Sequence, residues 1–135
     1  MSERPVERNG PLAIYVLTYA VASLLHFGHN AKFLSAYPNL PRWLTAAQVW
    51  AAWIALTGVG AIGVLLARSR YQVAGLIVLS AYACFGFDGL GHYAVASPSA
   101  HTPAMNLTIW LEAVTAALLL LAVARAALPA SRARH

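Results

Sequence analysis

The chain alternates long apolar stretches with short polar links. The first stretch lies between Arg8 and Lys32, with its body from Leu12 to Leu25. The second lies between Arg42 and Arg68. The third runs from Tyr71 to Val95, broken only by Asp88 and His92. The fourth runs from Pro103 to Ala124, broken only by Glu112. Each is longer than the ~20 residues a helix needs to cross ~30 Å of hydrocarbon. A chain in lipid has to satisfy its own backbone, which selects helices. The pattern predicts a single transmembrane domain over residues 1–135, all-α, folded as an integral membrane four-helix bundle with up-down-up-down topology. Its spans are expected at about 12–30, 45–67, 71–95 and 103–125.

The links carry turn and cap signals. Residues 30–45 contain Pro38, Asn39 and Pro41, and residues 96–102 read ASPSAHT. Thr45 is the expected cap of the second span, and Thr102 with Pro103 the start of the fourth. Arg68-Ser69-Arg70 is so tight a link that the second and third spans should be neighbours. Gly58, Gly60 and Gly63 would allow close helix approach. Tyr37, Trp43, Trp50 and Tyr93 near one interface and Tyr71 near the other read as an aromatic belt.

Composition agrees with the pattern: 60% of the residues are hydrophobic and only 10% are charged. The net charge of +5 reflects topology and attraction to anionic lipid heads. No basic stripe lies on a soluble surface, so nucleic acid is not expected as a partner. Arg4, Arg8, Arg68, Arg70, Arg125, Arg132 and Arg134 fall on one side of the spans, against Lys32 and Arg42 on the other. This asymmetry places both termini in the cytoplasm. No cleavable signal sequence is expected, because a full-length span follows a tail with two Glu and two Arg. The expected location is a bacterial-type cytoplasmic membrane, crossed several times. Cys84 is the only cysteine, which leaves no internal disulfide and suggests a buried, inert role.

The remaining chemistry is concentrated. Asp88 and Glu112 are the only acidic residues beyond the N-terminal tail, and both interrupt apolar stretches. His26, His29, His92 and His101 fall at the same end of those stretches. An ionisable group in hydrocarbon costs about 3 kcal/mol and marks a functional site by default. His26 and His29 are three apart and share a helix face, with Tyr19 and Tyr15 below them. Asp88 and His92 are four apart and share another, continued by Cys84 and Ser80. Met105, Thr108, Glu112 and Thr115 form a third row. These stripes are expected to turn toward the bundle axis, in the half facing the periplasm, with Gln48 adding a contribution from the second span.

Imidazoles with carboxylates suit zinc, iron or copper. The leading functional expectation is therefore a metal-binding membrane protein, either a redox or hydrolytic enzyme or a metal handler. Its ligand pool would be His26, His29, Asp88, His92 and Glu112, with His101 from the loop. Haem between His26 and His92 ranks lower, because carboxylates so near would be odd. A second expectation is a metal-free isomerase or cyclase of a lipid-soluble substrate, with Glu112 as acid and Asp88 with His92 as base. A third is a non-enzymatic proton or cation relay, or an accessory subunit of a larger membrane complex or homo-oligomer. Beside these stand blander readings: a lone interfacial histidine is ordinarily amphipathic, and Asp88 with His92 also reads as a structural pair.

Overall fold

The computed structural model describes residues 10–132. Arg4, Arg8 and Arg134, three members of the charge asymmetry, lie outside them. The described residues are helical throughout, with short turns between: α1 (Gly10–Lys32), α2 (Ala46–Ala67), α3 (Gln72–Phe85), α4 (His92–Val95) and α5 (Pro103–Arg132). Four stretches are long and apolar enough to cross a membrane: Pro11–Lys32, Ala46–Ala67, Gln72–Val95 and Pro103–Leu128. The chain has the build of a multi-pass membrane protein. Ile14, Leu17, Ile54, Leu65, Ile77 and Leu121 are exposed around its flanks, as a lipid-facing surface allows.

The helices start where their caps stand. The Thr45 hydroxyl accepts from the Gln48 backbone N–H, and the Gln48 side chain accepts from the Thr45 N–H, closing a capping box at α2. Gln48 is thereby spent at an exposed helix end and contributes nothing to a site, contrary to the sequence reading. The Thr102 hydroxyl accepts from the Met105 N–H at the start of α5, with Pro103 in the first turn.

α1 packs against α2 and α5, and α3 packs against the same two helices. The four form a closed ring around one core. Away from the histidines that core is apolar: Leu12, Leu76, Leu79, Leu119 and Val123 are buried together with Tyr19 and Tyr82. Gly60 and Gly63 are buried against Tyr82 and Leu79, while Gly58 meets nothing. The tightest approach is at Gly75. A Cβ there would collide with the backbone N of Ala67, and a backbone cannot swing aside as a side chain can. Gly75→Leu is expected to weaken the α2–α3 contact by about 3 kcal/mol or more, given the usual cost of overpacking. Thermal unfolding of the purified protein in detergent checks this.

The third span departs from the uniform helix expected over 71–95. α3 stops at Phe85, Asp88–Gly91 forms a 3-10 turn, and α4 adds only four residues. Gly86, Gly89 and Gly91 crowd this segment and disfavour an α-helix. A 3-10 turn has three residues per turn, so positions four apart lie about 120° round from each other rather than stacked. Asp88 and His92 therefore part company: Asp88 is exposed and His92 is buried. Cys84, one turn before Asp88, is exposed too, which corrects the buried role expected for it.

Candidate functional site

The buried polar groups gather at the end of the bundle that carries the 33–45 and 96–102 links. α1 supplies His26, 3% exposed, and α5 supplies Glu112, 1% exposed. His26 Nε2 stands 3.7 Å from Glu112 Oε2. α4 brings the His92 ring to 5.6 Å from that of His26, and the turn before α5 brings the His101 ring to 6.0 Å from that of His92. Three imidazoles thus run in series from the 96–102 link to a carboxyl in the bundle interior.

The protein fixes the proton of two of these rings. His101 Nδ1 lies 2.9 Å from the Ser97 carbonyl, which can only accept, so Nδ1 donates and Nε2 carries the lone pair. The Thr108 hydroxyl donates to the Met105 carbonyl and lies 3.4 Å from His26 Nδ1. It therefore receives the Nδ1 proton, and the His26 lone pair at Nε2 faces Glu112. His92 differs. The Asn30 amide nitrogen lies 3.2 Å from His92 Nε2 and donates to it, so the proton sits on Nδ1. Turning the amide over would present Oδ1 instead and reverse that assignment. His92 Nδ1, His101 Nε2, Asn30 Oδ1 and both Glu112 oxygens are buried without a hydrogen-bond partner. Such groups cost about 1–3 kcal/mol each, so their concentration here is not what stability alone would select.

Tyr37 closes the cluster from above. It is buried, its hydroxyl meets His29 Nδ1 at 2.9 Å, and its ring lies 4.9 Å from His92 and 6.4 Å from His101. Its loop is pinned by the Asn39 amide, which donates to the Val95 carbonyl from a left-handed backbone (φ 59°) that asparagine tolerates. Burial raises the Tyr37 phenol above the usual tyrosine value, opposed in part by the Thr108 hydroxyl. The folded state therefore prefers the neutral phenol. That stabilisation is complete below the ordinary value of about 10 and is lost as pH climbs from there to the raised one. Tyr37→Phe is expected to lower stability by about 1 kcal/mol at neutral pH, for the lost hydrogen bond, and to remove this alkaline loss. Melting curves collected across alkaline pH read both.

The expected site is thus assembled in part. His26, His92, His101 and Glu112 come together. His29 turns to Tyr37 and positions it. Asp88, expected both as ligand and as half of a base with His92, is exposed and joins neither, because the 3-10 turn rotates it away. Among the described residues no three of His, Cys, Asp and Glu stand close enough to hold one ion. Sequence reasoning missed Asn30, Tyr37 and Gly89. Asn30 directly follows the His26-x-x-His29 pair, and that polar extension was a readable signal. Tyr37 has the sequence setting of a belt aromatic, and nothing local distinguishes it. Protein-family models, curated proteins and solved structures were all compared with the chain, and none matches it.

Proposed function

We propose that this multi-pass membrane protein handles protons: His101, His92 and His26 carry them between the aqueous face at the 33–45 and 96–102 links and the buried carboxyl of Glu112. The single observation that carries the reading is the series of imidazoles ending on a carboxyl, with an unpartnered valence at each station except His26, whose open Nε2 faces Glu112. Proton transfer needs donor and acceptor within hydrogen-bond reach directly or through one water, and separations of this size suit water-assisted steps. His92 is the natural switching station, because the Asn30 amide can hold either of its tautomers. The apolar core of Leu76, Leu79 and Leu119 beyond Glu112 supports a half-path rather than a pore.

In the membrane, the reading takes an up-down-up-down bundle with both termini cytoplasmic, so that the site faces the periplasm. Arg68, Arg70 and Arg125, all exposed, against Lys32 and Arg42 favour that orientation. The lipid bilayer is the immediate partner. Protons reaching Glu112 can serve acid chemistry on a lipid-soluble substrate, or a companion subunit in a larger complex.

Infrared difference spectra of the full-length protein in nanodiscs test the proposal. A carboxyl band that responds to pH and disappears in Glu112→Gln is expected. A spectrum unchanged by that substitution overturns it.

A second reading keeps a transition metal, zinc, copper or iron. It is favoured by His101, whose Nδ1 bond to a carbonyl leaves Nε2 free, as in metal-ligating histidines. His26, His92, His101 and Glu112 would be its ligands, drawn together on binding. Under it, close to one ion per chain copurifies and His92→Ala loses it. Protein that stays metal-free after loading with each metal in turn eliminates this reading.

A further inference from the structure

The pair at the end of the relay is flanked by a glycine. Glu112 Oε2 and His26 Nε2 are 3.7 Å apart, too far for a direct hydrogen bond. Both side chains are more than nine-tenths buried, and neither Glu112 oxygen has a partner. The third side is Gly89, itself buried. A Cβ on it would stand 3.2 Å from Glu112 Oε2 and 3.4 Å from His26 Nε2. A methyl group there would press on both functional atoms from the side and take room that a small molecule bonded to both would need. Gly89 belongs to the 3-10 turn that interrupts the third span, and irregular backbone at membrane depth is tolerated where it lines a polar cavity.

We propose that Glu112 Oε2, His26 Nε2 and the Gly89 backbone form a binding site for a single water molecule, which becomes hydronium-like as the proton passes. The inference rests on the relay reading and specifies its last step. A water beside the pair donates one hydrogen bond to the carboxylate and another to the imidazole lone pair, satisfying buried atoms that make no hydrogen bond within the protein. When a proton arrives on His26 Nε2, the imidazolium donates to the water oxygen. The water in turn releases one of its own protons to Glu112 Oε2. The imidazole returns to neutral, the carboxylate becomes a carboxylic acid, and the water is unchanged. Gly89 acts here as a positioning residue that keeps the place free.

The test uses full-length protein in nanodiscs and infrared difference spectra taken in ordinary water and in water enriched in oxygen-18. The expected result is an O–H band that shifts with oxygen-18 and is absent from both Gly89→Ala and Glu112→Gln. In Gly89→Ala, proton uptake at Glu112 should slow by about tenfold or more. In Gly89→Ser the hydroxyl stands in for the water and part of the rate should return. Oxygen-18 sensitivity that is missing in the wild type, or that survives both substitutions, overturns the water site. So does a Gly89→Ala protein with wild-type uptake. If Gly89→Ala does not fold, the wild type and Glu112→Gln still decide by the oxygen-18 band alone. The relay reading fails separately, if the Glu112 carboxyl band does not respond to pH whatever the water band does.

Discussion

Replacing Glu112 by methionine is expected to make the protein more stable while abolishing its proton uptake. Glu112 is 1% exposed and neither of its oxygens has a hydrogen-bond partner. The buried Ser23 hydroxyl is near enough to act on its charge, but satisfies neither oxygen. A buried polar group that the protein leaves without a hydrogen bond costs about 1–3 kcal/mol, and an apolar group of the same shape removes that cost where it exceeds what His26 Nε2, 3.7 Å away, loses with its neighbour. Methionine has similar length and bends to fit irregular space. The neighbours of Glu112 on α5, Ile109, Ala113 and Ala116, are buried and apolar and would accept it. Thermal unfolding in detergent should show a gain of this size for Glu112→Met. If the carboxyl instead locked α5 to α1 as a structural group, the same substitution would destabilise. The sign of the change therefore separates a functional carboxyl from a structural one.

The second large effect is expected at His92. It is the middle imidazole of the series, and its ring packs among those of His26, Tyr37 and His101. Phenylalanine keeps the aromatic contacts and removes both ring nitrogens. His92→Phe should therefore fold and yet cut Glu112 off from the aqueous face. The rate of proton uptake at Glu112 should fall by about two orders of magnitude, the usual contribution of a positioned acid–base group. Asp88→Asn is the contrasting control. Asp88 is exposed and stands outside the series, although near enough for its charge to be felt at Glu112, and its substitution should change the rate far less than His92→Phe does.

The fold was legible in the sequence to the extent that hydrophobic length decides it. Four uncharged stretches of bilayer length admit few solutions, and the Thr45 and Thr102 caps fell where the residue types put them. The interruption of the third span was not read, although Gly86, Gly89 and Gly91 announced it. Apolar length there outlasts the backbone's helical propensity, which the three glycines lower. The error carried into the site. Helical spacing assigned Asp88 and His92 to one face, which holds for an α-helix and fails in a 3-10 turn. On α1 and α5, where the helices are regular, the same reasoning put His26 and Glu112 on the interior correctly. The contributions of Tyr37, Asn30 and His101 depend on how the two links fold over the bundle end. Spacing along a helix carries no information about that.

The central claim is that Glu112 exchanges its proton with one side of the membrane through the three histidines. The most direct measurement is a sided pH jump on sealed proteoliposomes holding the full-length protein in one orientation, with the Glu112 carboxyl followed by time-resolved infrared spectroscopy. A fast response is expected when the jump is made on the face bearing residues 33–45, a slow one from the opposite face, and loss of the fast response in His92→Phe. Equal responses from the two faces, or a fast response that persists in His92→Phe, would contradict it.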